Sequence, residues 1–457
     1  MNAWFPRVTL HSLVVAVSVL VYVLTTRAEH ERRPPSIAIA WVLGMIAVPY
    51  LALPTYLLFG RRKLPRKVLQ WSGIGSHCTH WAEDLIESFG LAPSAPSSTR
   101  LHQDGSESAA ALFATMSNAI HRLDICTYIL GNDAFGREVM QRMIERARSG
   151  VQVRLLIDGV YAAQLPASCF RQLNAAGVQT AVFSPLFARK TQGPRNLRNH
   201  RKMVIADGAQ LWAGGRNLAA EYFTGIKGTP PWRDLSFDLR GPVAAAAACQ
   251  FEADWVAAGG KPAAPGAAAG AAASAPQPAA GRAQFLPSGP DQAEDTVHAL
   301  LIDACFHVRE RLLAVTPYFV PDVSLETAIR LAARRGVEID LCIPVVSNHR
   351  LADFARNRAL RALSTAGVRI HLLQHMNHAK AVVFDDSLAI SGSVNLDSRS
   401  LLLNYECAVV FYGASEIAWL THWIQALIPD ARPFDYRAPG FLRDIGEGLL
   451  LTVAYQL

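Results

Sequence analysis

The chain repeats a long, spaced motif. His200-x-Lys202-x4-Asp207-x6-Gly214-Gly215-x-Asn217 returns in the second half as His378-x-Lys380-x4-Asp385-x6-Gly392-Ser393-x-Asn395, with every spacing kept. Self-similarity on this scale marks a duplicated structural unit. The repeat reaches beyond the motif. Ala147-Arg-Ser-Gly150-Val-Gln-Val-Arg-Leu-Leu-Ile157 matches Ala333-Arg-Arg-Gly336-Val-Glu-Ile-Asp-Leu-Cys-Ile343. Each reads as a helix that ends at glycine and runs into a buried strand. Ala176-Gly177-Val178 and Ala366-Gly367-Val368 repeat the pattern. Leu123–Leu130 and Leu312–Phe319 are strand candidates, each after an amphipathic helix (Ala109–His121, Asp295–Arg309). Strand and helix alternating in both halves predict an α/β fold, two pseudo-symmetric domains over 98–258 and 283–436, each a mixed sheet flanked by helices. Residues 259–282 between them are almost wholly Ala, Gly and Pro, a composition that buries too little apolar surface to order, and read as a linker.

Each motif reads as a hairpin. Arg198–Ala206 and Asn377–Phe384 are strand-like, and period-two alternation puts His200 with Lys202, and His378 with Lys380, on one face. Asp207-Gly208 and Asp385-Asp386 supply the turns. The return strands end at Gly214-Gly215 and Gly392-Ser393, where backbone can approach an anion closely and Asn217 or Asn395 can donate to its oxygens. A histidine, a lysine and an amide, supplied twice, suit attack on a phosphodiester: nucleophile or proton carrier, cation and donor. Asp207 and Asp385 complete the catalytic motif, but their turn position fits ordering the hairpin better than chemistry.

Composition enters at the N-terminus. Hydrophobic residues make up 51% of the chain and mean hydropathy is +0.16, which directs attention to a membrane portion. Val8–Thr26 and Ile37–Phe59 are apolar runs long enough to cross a bilayer core as helices, so residues 1–60 read as an anchor with spans at 8–26 and 37–59. A cleaved signal peptide fits less well, because no small-x-small site follows and a second span comes promptly. Arg61, Arg62, Lys63, Arg66 and Lys67 open a basic connector (61–97), and the positive-inside rule places the region after Gly60 in the cytoplasm. The net charge of +7 fits an anionic partner or the topology signal alone. Seven scattered cysteines without a C-x-x-C argue against a disulfide framework and a zinc site. The C-terminal stretch 437–457 reads as amphipathic, packing on the domain or lying on a bilayer surface.

The paired motifs resemble those of the phospholipase D superfamily. Within it the chain is similar to bacterial cardiolipin synthases, through Ile37-Ala-Ile-Ala-Trp41, Leu57-Leu-Phe-Gly60, Asn199-His-Arg-Lys202, Trp232-Arg-Asp234, Pro287-Ser-Gly-Pro290, Thr316-Pro-Tyr-Phe319, Asn395-Leu-Asp-Ser-Arg-Ser400 and Asn404-Tyr-Glu406. The resemblance implies two phospholipase D-like domains behind two transmembrane helices in a bacterial inner membrane. It implies phosphatidyl transfer without metal or other cofactor, with phosphatidylglycerol as donor and acceptor and anionic phospholipids as partners. It assigns His200 as nucleophile and His378 as acid/base. Lys202, Lys380, Asn217, Asn395 and Ser393 would cradle the phosphate, and Asp234 and Glu406 would cross to the opposite histidine. Two departures stand out: Gly215-Arg216 where the family has Gly-Ser, and Tyr161-Ala-Ala after Asp158-Gly-Val160. They leave Arg216 to contact a headgroup or solvent. They also leave open phosphatidylethanolamine, another alcohol, or water as acceptor. Nuclease action, also found in the superfamily, is disfavoured by the apolar runs and the lack of aromatic-rich strands for base stacking.

Overall fold

The computed structural model describes residues 10–28, 35–60, 80–185, 196–226, 228–262 and 281–451. The basic cluster Arg61 to Lys67, Cys78, residues 263–280 of the linker and residues 452–457 lie outside the described residues. Strands of the first half are β1 (Ala95–Leu101), β2 (Arg122–Thr127), β3 (Gln152–Asp158), β4 (Gln179–Phe183), β5 (Met203–Ala206), β6 (Gln210–Gly214) and β7 (Ser236–Arg240). Those of the second are β8 (Gly281–Ser288), β9 (Arg311–Val315), β10 (Phe319–Val320), β11 (Glu338–Pro344), β12 (Arg369–Leu373), β13 (Ala381–Phe384), β14 (Leu388–Gly392), β15 (Leu396–Asp397), β16 (Glu406–Phe411) and β17 (Arg432–Pro433).

The sequence repeat reappears as strand order. The first half runs β4-β3-β2-β5-β6-β7-β1 and the second β12-β11-β9-β13-β14-β16-β8, with β17 added outside β12. β2, β3 and β4 are parallel, as are β9, β11 and β12, and the motif hairpins β5–β6 and β13–β14 continue each sheet antiparallel. The two sheets are joined. β1 and β8 pair antiparallel, Ala95 opposite Ala283, and make one sheet of 15 strands. The seam consumes the two edges that separate domains would leave open to other chains.

One sheet face in each half carries its own helices, Gly105–Asn118 and Ala134–Arg148 in the first, Thr296–His307 and Val323–Arg334 in the second. The other face bears Pro242–Ala257 and Ala414–Gln425 over a core shared by both halves. There Phe237 meets Phe411 edge-on at 5.4 Å, both fully buried. Each such side chain contributes about 1.5–3 kcal/mol of burial, so the halves hold each other's core.

The N-terminal runs are helical but not as two long spans. The first forms Leu10–Ala28. The second breaks at Val48, ahead of Pro49, into Pro35–Ala47 and Pro49–Phe59. The residue before a proline is pushed out of the helical region, and Val48 sits at φ −141°, ψ 62°. Pro54, expected to kink the run, lies inside the last helix. Among the described residues no helix is long and apolar enough to cross a membrane. The three helices meet at Tyr22, Met45 and Tyr56, with Thr25 Oγ1 2.7 Å from the Tyr56 hydroxyl.

Candidate active site

The motif residues lie just outside the strands predicted for them. His200 to Lys202 and His378 to Lys380 are extended chain leading into β5 and β13, and each run is fastened to the opposite half. Asn199 forms a parallel bridge with Tyr405, and Asn377 with Arg233. His200 N donates to Tyr405 O at 2.8 Å, and Tyr405 N donates to Arg198 O at 2.9 Å. His378 N donates to Arg233 O at 2.6 Å, and Arg233 N to Met376 O at 3.2 Å. The residue after each bridge partner is a carboxylate, Glu406 or Asp234. Backbone register therefore delivers each half's acid to the other half's histidine.

His378 Nδ1 lies 2.8 Å from Asp234 Oδ2 in a hydrogen bond, and His200 Nδ1 lies 3.1 Å from Glu406 Oε1 but off the line of a good one. Both carboxylates are fully buried, and the His200 side chain is the more exposed of the two rings, at 14% against 4%. A carboxylate at Nδ1 fixes the ring and leaves Nε2 as the reactive atom. Asn199 and Asn377 shape the approach, each side-chain oxygen accepting the N–H two residues on, from Arg201 at 3.1 Å and Ala379 at 2.9 Å. Sequence reading gave neither a role of its own, although an asparagine closing a two-residue loop is a local signal.

Lys202 Nζ donates to His200 O at 2.6 Å, and Lys380 Nζ stands 3.1 Å from His378 Nε2. Burial dominates the electrostatics. It lowers His200 to about 4, with Lys202 adding to the effect against the pull of Glu406. It lowers His378 to about 3, with Lys380 adding and Asp234 opposing. It also brings Lys380 down to about 7 and lowers Lys202, each against the nearby carboxylates. For Asp234 and Glu406 burial pushes upward, but the facing histidines and lysines outweigh it and hold both below the usual carboxylate value. Burial thus disfavours the charged forms of the histidines and lysines, an effect that a phosphodiester anion beside them would oppose.

The small residues after the hairpins differ in what they hold. Ser393 Oγ donates to Glu406 Oε2 at 2.5 Å. At Gly215 a Cβ would meet Asp234 Oδ1 at 2.2 Å, so the carboxylate fills the space a side chain would need. Asn217 Nδ2 donates to the Tyr222 hydroxyl at 2.7 Å and Asn395 Nδ2 to Ser400 Oγ at 3.0 Å. Tyr128 packs on the His200 ring at 4.2 Å, and Tyr222, Trp232 and Tyr318 surround His378 at 5.1, 5.8 and 6.3 Å.

Asp207 and Asp385 do not join this set. Each carboxylate accepts three backbone N–H bonds at the far end of its hairpin, from Ile120, His121 and Arg122 or from Arg309, Glu310 and Arg311. Both sit at positive φ, 53° and 49°, which aspartate tolerates in a turn. With β5 or β13 between each of them and its lysine, this geometry fits the turn-ordering role expected from the sequence. Arg216 is not solvated. It is buried, donating to Tyr222 O at 3.3 Å and Ser236 Oγ at 3.1 Å. Arg201, which the sequence reading left out, is fully buried between the halves: Nε donates to Glu406 O at 2.9 Å while the other nitrogens reach Asp254, Asp291 and Ser288 O. Only its place between a motif histidine and lysine marks it in the sequence. Among the described residues no group of three or more His, Cys, Asp or Glu side chains is arranged to hold a metal ion.

Two half-sheets joined edge to edge, with a His-Lys pair from each half closed by the other half's carboxylate, define a phospholipase D-type phosphodiester site. The family described as cardiolipin synthase, PLD-like domain matches residues 112–229 and 301–428, and a phospholipase D-nuclease N-terminal family matches 14–61. Cardiolipin synthase A of Pseudomonas aeruginosa (strain LESB58) is 30% identical over 464 residues, covering 95% of this chain and 93% of its own. Cardiolipin synthase A of Pseudomonas putida (strain W619) is 31% identical over 398 residues, 82% of each chain. Among solved structures, phosphatidylserine synthase of Haemophilus influenzae Rd KW20 superposes with TM-score 0.62 at 12% identity, covering 82% of this chain and all of that one, a likeness of fold alone. The chain belongs to the cardiolipin synthase family of the phospholipase D superfamily.

Proposed function

We propose that the protein transfers the phosphatidyl group of one phosphatidylglycerol to the headgroup hydroxyl of another, giving cardiolipin and glycerol. The crossed pairing of His200 with Glu406 and His378 with Asp234 carries this reading, because it puts two oriented imidazoles on one site. Neutral His200 attacks phosphorus through Nε2, the bond to the glycerol headgroup breaks, and His378 gives its proton to the departing oxygen. The phosphohistidine is then attacked by the second lipid's hydroxyl, whose proton returns to His378. Cardiolipin leaves and His200 is regenerated. Lys202, Lys380 and the amides of Asn217 and Asn395 stabilise the charge on the non-bridging oxygens. The phosphate's own charge raises the proton affinity of His378, which burial and Lys380 lower, so the acid forms with substrate beside it.

The enzyme works at the bacterial inner membrane, its N-terminal apolar helices holding it beside its diacyl substrates and its catalytic halves on the cytoplasmic side. A reporter fused after Leu457 that is active only outside would refute this topology. The chemistry is tested with purified full-length protein, phosphatidylglycerol and chelator. Cardiolipin plus glycerol in equal amounts is the expected outcome. Phosphatidic acid without cardiolipin would replace transfer by hydrolysis.

A further inference from the structure

Many exposed large apolar side chains lie on the three N-terminal helices, but in the catalytic halves one group is continuous with the site mouth. Tyr318, whose ring is 6.3 Å from His378, donates to Asn348 Oδ1 at 2.5 Å and meets the His349 ring at 5.4 Å. The loop holding those residues exposes Val346 and feeds helix Arg350–Thr365, whose first turns pack on Tyr318 and Val320 while presenting Leu351 and Phe354 outward. Phe354 lies 3.6 Å from the Cβ position of Gly446 and so touches the C-terminal helix Phe441–Leu451. That helix is pinned on its inner side by buried Glu447, which pairs with Arg361, and leaves Phe441 and Leu442 80% and 83% exposed.

The rim of this face is basic. Arg350, Arg358, Arg437 and Arg443 are exposed there; Arg437 pairs with Asp435 at 2.9 Å and Arg443 with Glu447 at 3.0 Å, while Asp444 is also exposed. Between the two helices an open cavity of about 440 Å³ is lined by Arg358, Thr365, Tyr436 and Phe441 among others. Apolar side chains standing out from a basic rim are the pattern of a surface that enters the headgroup region of an anionic bilayer.

We propose that this face, made by the 345–349 loop, the start of helix Arg350–Thr365 and helix Phe441–Leu451, docks on an anionic phospholipid surface and sets the site mouth against it. The inference rests on the lipid-transfer reading only for its purpose; the docking itself is independent of turnover.

The test uses full-length protein reconstituted in vesicles containing phosphatidylglycerol, with a genetically encoded fluorescent residue in place of Leu442. Bilayer depth is read by quenching from lipids brominated along the acyl chain. A second probe replaces Ile120, which is 70% exposed on the other half. Quenching at 442, absent at 120 and reduced when the matrix lipid is zwitterionic, is the expected result. Equal quenching at both positions, or none at 442, would overturn the proposal. In parallel, the double variant Phe441→Asp, Leu442→Asp should lower turnover on vesicles about tenfold or more, the scale of withdrawing apolar side chains from lipid. It should leave turnover of short-chain phosphatidylglycerol in monomeric solution unchanged. Loss in both assays would mean the helix supports the fold instead. Loss of a dimer on light scattering would mean that a second copy covers the face. Quenching at 442 in a protein that makes no cardiolipin would refute the lipid-transfer reading while keeping the docking surface.

Discussion

Replacing Gly215 with alanine isolates what the Asp234–His378 contact is worth. The new Cβ would stand 2.2 Å from Asp234 Oδ1, 2.9 Å from Cγ and 3.0 Å from Oδ2. Ordinary contact begins near 3.5 Å, so the carboxylate must withdraw by more than about 1 Å. It cannot do so freely, because Oδ1 accepts from Leu235 N at 2.7 Å and Oδ2 holds His378 at 2.8 Å. The contact to His378 is the one stretched past hydrogen-bonding range. A bond to a charged partner contributes about 1.5–3 kcal/mol, which corresponds to a fall in kcat of about 10- to 150-fold. Initial rates of cardiolipin formation give the effect, with thermal unfolding measured on the same samples. A cycle with Asp234→Asn completes the assay: the two changes should be far from additive, since both act on one contact. A Gly215→Ala enzyme within twofold of the parent kcat, or additive losses in the cycle, would refute the reasoning.

Lys380, lowered to about 7 by burial, must stay charged to hold the phosphate, so affinity for phosphatidylglycerol should fall as pH rises past about 7. Binding of phosphatidylglycerol to the His378→Ala variant, measured on both sides of neutrality, checks this, and a flat response above pH 7 would remove Lys380 from the anion cradle. Asp385→Ala frees three backbone N–H groups and should cost about 1.5–3 kcal/mol of stability while kcat, measured below the lowered melting temperature, changes much less. Arg201→Ala strands Asp254 and Asp291 between the halves and should destabilise by about 3–5 kcal/mol, read by denaturant unfolding. Activity should survive chelator, measured as cardiolipin formed with and without EDTA.

Much of the architecture was legible because duplication exposes itself. Two spaced motifs and two glycine-ended helices were enough to predict α/β halves with motif hairpins. The turn role of Asp207 and Asp385 followed from their place in those hairpins. What escaped depended on partners far along the chain. No local pattern announces that Asn199 pairs with Tyr405, or that β1 and β8 fuse the sheets, because bridges and edges are chosen by tertiary fit. Arg216 looked like a surface or headgroup residue because arginine is rarely buried. Its burial depends on the carbonyl of Tyr222 and the hydroxyl of Ser236, which only the fold brings near. In the N-terminal run, hydropathy reported length while Pro49 set where the helix ends.

The two strand bridges that cross between the halves also carry a consequence for synthesis. His200 waits for Tyr405 and Glu406, and Asp234 for Asn377 and His378, contacts closed over well over a hundred residues of intervening chain. Such distant pairings are slow to form and come late on the folding path. A nascent chain that has only its first half carries a histidine without its acid and an acid without its histidine. Neither histidine can meet its carboxylate until both halves of the chain are made and docked, so the site is assembled as the last act of folding.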